Sequence, residues 1–281
     1  MRTANEGLFR DDRTANVNHE GHKGHEGDWQ YERSGLHRGA YNMEHDLLLA
    51  QALLEGSGRP TLRVYGWNPP AISLGWNQPM EEIDAERASQ SGIDVVRRPT
   101  GGRAILHSDE MTYSVVMKSG GKNILSVYDE ISRALVCGLS KLGLPVSIEK
   151  SQPHFPSIYR DSFGAACFAS SARYEIKIEG KKLVGSAQRR YVSPEGEEVV
   201  LQHGSILLGR DHMRIVEFLR LSPTENEALR NELNASTTDC SSELGAPISF
   251  DQVADVVKEG FEQSWGIAFQ EFTELPLITA R

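Results

Sequence analysis

The sequence predicts an α+β domain in which a mixed, largely antiparallel sheet is flanked by helices. Three observations carry that prediction. Alternating apolar and polar residues lead into short turns, as in Tyr174-Glu175-Ile176-Lys177-Ile178 before Glu179-Gly180-Lys181, the two-residue period of a half-buried strand entering a hairpin. Other segments space apolar residues three and four apart, as at Ile124, Val127, Tyr128, Ile131, Leu135 and Leu139, which marks a buried helical stripe. A chain of 281 residues with 39% hydrophobic content suffices for one substantial core with at most a small appendage.

Residues 1 to about 35 are polar and hold His19, His22 and His25 without a sustained period, so they are expected to be a disordered tail, with 36–281 as the folded domain. Apolar positions 43, 47, 50, 53 and 54 predict a first helix. Leu62-Arg63-Val64-Tyr65 and Ala71-Ile72-Ser73-Leu74 read as strands joined in a near-hairpin through Asn68-Pro69-Pro70. A short helix is expected over 83–91, a strand over 93–97, a strand over 112–117 and a long helix over 123–142 stopped by Gly143. Lys182-Leu183-Val184 returns from the turn at Gly180, and Pro194-Glu195-Gly196 turns the chain into a strand over 199–208, giving a three-stranded meander. Helices follow over 213–221, near 225–233 and over 250–265, the last opened by a capping box of Ser249 and Gln252.

Composition excludes several function classes. No run of 18 apolar residues occurs and the N-terminus lacks an apolar signal stretch, so a cytoplasmic protein without membrane partners is expected. Cys137, Cys167 and Cys240 are odd in number and widely spaced, which fits neither a disulfide framework nor a zinc cluster. The net charge of −9 argues against nucleic acid as a partner. Its distribution is uneven: residues 97–190 hold 15 Lys and Arg against 8 Asp and Glu, a balance of +7, and the remainder carries −16. The basic third favours an acidic macromolecular partner docking there.

The same third carries the chemistry-bearing motifs. Arg97-Arg98-Pro99-Thr100-Gly101-Gly102-Arg103 runs on to His107, Lys182 precedes Gly185-Ser186-Ala187-Gln188, and Gln202-His203-Gly204-Ser205 follows one strand later. Paired glycines permit close backbone approach to a ligand, and a lysine beside a small-residue strand can bring positive charge to a carbonyl or phosphate. Cys167 lies among small residues in Gly164-Ala165-Ala166-Cys167-Phe168, which leaves its sulfur accessible. His107 and His203 could each accept a proton, but His203 is read as a wall residue and His107 as a structural residue of the loop. Trp67, Trp76 and Tyr113 are read as core in preference to substrate contacts, although they are apolar walls of the kind an acyl chain would need.

Taken together with Thr112-Tyr113-Ser114 and with Asn42, Met43 and Asp46 near the first helix, these ordered motifs resemble the catalytic domain of the biotin/lipoate protein ligase family across most of 38–275. The resemblance implies that family's fold. Within it, Gly101-Gly102-Arg103 departs from the three glycines usual in ATP-dependent lipoate ligases, and Cys167-Phe168 before Tyr174-Glu175 resembles the cysteine-dependent octanoyltransferases. Ser170-Ser171-Ala172-Arg173 departs from the Pro-Ser-Trp often found there.

The resemblance implies transfer of an octanoyl group from octanoyl-acyl carrier protein to a lysine of a lipoyl domain or of a glycine-cleavage carrier protein, in lipoate biosynthesis. Cys167 is then the expected nucleophile, forming a thioester, and Lys182 the cation that favours its thiolate and steadies the oxyanion. Arg98, Gly101, Gly102, Arg103, His107, Gly185, Ser186, Ala187, Gln188, His203 and Gly204 are expected to bind substrate, with Arg98 and Arg103 either holding the carrier's phosphopantetheine or ordering the loop. No cofactor and no metal are expected. An ATP-dependent ligase, an amidotransferase between carrier proteins and a non-catalytic acyl-protein binder are the alternatives.

Overall fold

The structure, a computed structural model, describes residues 28–149 and 175–272. In chain order the elements are β1 (Gln30–His37), α1 (Gly39–Leu54), β2 (Thr61–Trp67), β3 (Ala71–Leu74), α2 (Ala85–Gln90), β4 (Asp94–Arg97), β5 (Ile105–His107), β6 (Glu110–Lys118) and α3 (Ile124–Leu139). They continue as β7 (Ser147–Glu149), β8 (Glu175–Ile178), β9 (Lys181–Val192), β10 (Glu198–Leu207), α4 (Pro223–Ser236), α5 (Cys240–Leu244), α6 (Phe250–Trp265) and β11 (Gln270–Glu271). Eight strands form one sheet in the order β11-β1-β2-β6-β10-β9-β8-β7, and β4-β3-β5 form a second. In the large sheet β1 pairs in parallel with β2 and β11, and the other pairings are antiparallel. The expected α+β class is therefore the observed one, and β8-β9-β10 form the expected meander.

Strand alternation divides the large sheet into two faces. Leu62 and Val64 of β2, Met111, Tyr113 and Val115 of β6, and Val200 and Ile206 of β10 pack with Val127, Ile131 and Leu135 of α3 and Val253, Val257 and Phe261 of α6 in the main core. Intervening residues turn to the opposite face, where Leu49, Ala50 and Leu53 of α1 meet Val116, Val199 and Leu201. The helix starts follow their chemistry: Asn123 caps α3 by accepting from the Ser126 N–H, and Ser249 with Gln252 forms the expected capping box of α6.

Several expectations need correction. Gln30–His37 is a strand and Trp29 is buried in the main core, so the folded part begins before residue 36; residues 1–27 and the histidines among them lie outside the described residues. No near-hairpin joins β2 to β3, which belong to different sheets. Pro69 and Pro70 offer no N–H to continue a ladder, and β2 already has β1 and β6 as neighbours. The helix expected from 83 starts at Ala85, because the Asp84 carboxylate caps the Arg87 N–H at 3.1 Å. The segment read as a helix over 213–221 is a 3-10 helix, Asp211–Phe218. Cys240 is fully buried in the main core, and burial together with the nearby Asp239 carboxylate pushes its thiol up to about 12.

Candidate functional site

An open cavity lies between the α1 face of the large sheet and the small sheet. Met43, Tyr65, Trp67 and Ile105 supply its apolar wall, Arg98, His107 and His203 its polar wall, and Gly185, Ser186, Ala187 and Gly204 its strand floor. Two interdigitating sheets thus bring together motifs 87 residues or more apart in sequence between Arg98 and Gly185.

His203 sits in β10 opposite Ala187 of β9. Its Nδ1 is 3.1 Å from Asp46 Oδ2 on α1, and its Nε2 is 2.7 Å from Thr100 Oγ1 in the glycine loop. Asp46 also accepts from Arg63 NH1 at 2.9 Å and from the Tyr65 hydroxyl at 3.0 Å. Arg63 is buried completely, and it donates further to Asn42 Oδ1 at 2.9 Å and Ser34 Oγ at 2.7 Å. Burial by itself raises the Asp46 carboxyl, but the His203 hydrogen bond and the Arg63 charge outweigh it and hold the group below its ordinary value. The same carboxylate, added to burial, drives the Tyr65 phenol well above its ordinary value.

A second imidazole–carboxylate pair faces the first across the cavity. His107 Nδ1 lies 3.1 Å from Glu110 Oε1, its Nε2 lies 2.7 Å from Ser73 Oγ, and its ring stacks on Trp67 at 4.0 Å. Burial raises the Glu110 carboxyl, while the charge and hydrogen bond of His107, with Ser205 and Thr112, bring it below the ordinary value. Trp67 Nε1 donates to Glu110 at 3.0 Å.

Arg98 lines the cavity and also holds the loop together. Its guanidinium donates to Ser73 O at 2.8 Å, Gly101 O at 2.8 Å and Arg103 O at 2.8 Å, so the chain from 99 to 103 folds around it. Gly75 is needed for this packing, because a Cβ there would lie 1.9 Å from Gly102 O. Gly102 itself has φ +93, a backbone that suits glycine. Gly101 is exposed with open space around it, Arg103 reaches Glu82 at 3.3 Å, and neither these two nor Gly102 lines the cavity. Trp76, read as core, is exposed beside the loop with Arg189 over its ring at 4.5 Å.

On β9 the expected residues divide. Gly185, Ser186 and Ala187 line the cavity. Ser186 Oγ is 2.7 Å from Tyr113 Oη, burial pushes that phenol up to about 12, and Gln202 ties Tyr113 to Gln188, whose side chain it meets at 2.9 Å. Lys182 is buried, its ammonium 2.6 Å from Glu175 Oε1, and it is not a lining residue of the cavity. Cys167 lies outside the described residues.

Residues missed as site members are Asp46, Arg63, Ser73, Thr100 and Glu110. A signal for two of them was present: Asp46 lies on the apolar stripe of α1, between positions 43 and 50, and Arg63 interrupts an apolar strand. A charge at a position that the period assigns to the interior needs a buried partner.

Residues 38–262 match the family model of the lipoyl protein ligase A/B catalytic domain. Among curated relatives, octanoyltransferase LipM of Symbiobacterium thermophilum is 38% identical over 86% of this chain and 88% of its own length. Octanoyltransferase LipM of Kyrpidia tusciae is likewise 38% identical, over 85% of this chain and 87% of its own. A bi-partite lipoate protein ligase from Thermoplasma acidophilum shares the fold with a TM-score of 0.68 at 21% identity, covering 88% of each chain.

Proposed function

The chain belongs to the lipoyl protein ligase A/B catalytic-domain family and is an acyltransferase of octanoyl transfer in lipoate biosynthesis, and from that premise we propose that it works through a thioester on Cys167. In this reading the donor is octanoyl-acyl carrier protein, and the acceptor is a lysine of a lipoyl domain or glycine-cleavage carrier protein in the cytoplasm. Cys167 attacks the donor carbonyl and the carrier thiol leaves. The acceptor amine then displaces Cys167. A thioester is already activated, so the two acyl exchanges need no nucleotide.

The observation that carries the reading is convergence: Arg98 at the start of the arginine–glycine loop, the strand after Lys182 and the His203 strand meet at one cavity with an apolar wall, as an eight-carbon chain beside a polar reaction centre requires. Lys182 does not line this cavity, and in this reading it acts where the acyl carbonyl reaches it, as an N–H donor to the oxyanion. Its pairing with Glu175 at 2.6 Å fixes the ammonium while reducing the field a free cation would exert.

Incubation with octanoyl-acyl carrier protein and no ATP tests this. The peptide containing Cys167 gains the mass of one octanoyl group, and Cys167→Ser neither gains it as a thioester nor turns over. Transfer that requires free octanoate with ATP and survives Cys167→Ser contradicts the proposal and favours a ligase.

A further inference from the structure

We propose that His203 is the base that takes the proton from the incoming lysine ammonium. The inference rests on the octanoyl-transfer reading and adds a catalytic residue to it. An acceptor lysine has a pKa near about 10.4, so fewer than about one in a thousand is neutral and nucleophilic at pH 7. A base at the cavity is therefore required.

The geometry defines the imidazole's tautomer. Asp46 is an anion that receives hydrogen bonds from Arg63 and Tyr65, and an ionised carboxylate only accepts. The 3.1 Å contact from His203 Nδ1 to Asp46 Oδ2 thus places the proton on Nδ1 and leaves the Nε2 lone pair open. Thr100 Oγ1 donates to that lone pair at 2.7 Å, and a hydroxyl that rotates aside yields it to an ammonium N–H. Once protonated, the ring has the Asp46 carboxylate beside it, which stabilises the imidazolium.

His107 is the weaker base for this step. Its Nε2 faces Ser73 Oγ, which also accepts from Arg98 NH1 at 3.1 Å, so a fixed cation stands on the side where a second positive charge would form. Thr100, by contrast, adjoins exposed Gly101 and Gly102, the side from which a lysine carried by another protein enters. The groups surrounding His203 are Asp46 from α1, Arg63 and Tyr65 from β2, Arg98 and His107 across the cavity, and Arg189 on its own face of β9.

In the step, the ammonium gives one proton to His203 Nε2 and its nitrogen lone pair attacks the thioester carbonyl. The C–N bond forms and the C–S bond breaks. The sulfur leaves with the bonding electrons and takes the second nitrogen proton, restoring the Cys167 thiol, and His203 returns its proton to water.

The test separates the two half-reactions in the full chain by rapid quench and intact mass. His203→Gln is expected to slow transfer from the octanoylated enzyme to the acceptor protein by at least about 100-fold, and to slow it far more than octanoylation from the donor. The residual transfer rises about tenfold per pH unit between pH 7 and 9, because solution must now deprotonate the amine. Equal loss in both half-reactions, or an unchanged pH profile, overturns the assignment. If His203→Gln does not fold, the wild-type profile decides: a second half-reaction that levels off below pH 9 supports the assignment, and a rise without a break to pH 9 overturns it. If wild type forms no thioester on Cys167, the thioester reading fails separately, and His203 is judged on the same profile of overall transfer.

Discussion

The two faces of the large sheet are made by alternate residues of the same strands, yet they are built on opposite chemistry. Toward α3 and α6, β2 presents Leu62 and Val64, β6 presents Met111, Tyr113 and Val115, and β10 presents Val200 and Ile206. Toward α1 and the small sheet, those strands present Arg63 and Tyr65, Glu110 and Thr112, and His203 and Ser205, all buried. The first face supplies stability through removal of apolar surface from water. The second bears the desolvation cost of charges, which is met by pairing Asp46 with Arg63 and His203, and Glu110 with His107. Two buried imidazole–carboxylate pairs meet at the cavity, so the face that is costlier to fold is the one that bears the candidate site.

Substitutions on the two faces separate these roles. Arg63→Leu leaves Asp46 buried without its cation and is expected to destabilise by about 3–5 kcal/mol, with loss of transfer even in the fraction that folds; urea unfolding and an activity assay read both. Leu62→Ala, the neighbouring residue on the other face, costs about 3 kcal/mol in the same unfolding measurement but leaves transfer by the folded enzyme close to wild type. Equal loss of activity in both variants would break the division between faces.

Much of the fold was legible because period and turns are local. The long helices, the meander and the capping box at Ser249 follow from residues within a few positions of one another. The polar face was not legible. Alternation in β6 and β10 suggests solvent on one side, whereas both sides are covered, by α3 and α6 and by α1 with the small sheet. The split of β2 and β3 between sheets depends on partners 20 or more residues away, such as β5. At the site, the glycine loop and the strands around Ala187 and His203 were readable as motifs. Asp46, Ser73 and Glu110 were not recognised as members, since their roles exist only once the imidazoles reach them.

Smaller effects sharpen the comparison away from the cavity. His212 is buried, with Thr237 Oγ1 2.9 Å from its Nε2, and burial lowers it from 6.5 to about 4. A depressed histidine contributes stability that is present above pH 6.5 and is lost as pH falls toward 4. His212→Gln should therefore reduce the stability lost between pH 7 and 4.5 by about 2 kcal/mol, measured as unfolding midpoints across that range. Ser249→Ala removes the cap of α6 and should cost about 1 kcal/mol, seen as a lower thermal midpoint, without altering the pH profile of transfer.

Photolabelling with an octanoyl thioester carrying a diazirine at the chain end tests most directly whether the polar-bearing face holds the acyl chain. Adducts are predicted on peptides containing Met43, Trp67 or Ile105, and excess octanoyl donor should suppress them. Labelling concentrated on α3 and α6 instead, or indifferent to competing donor, would contradict the account.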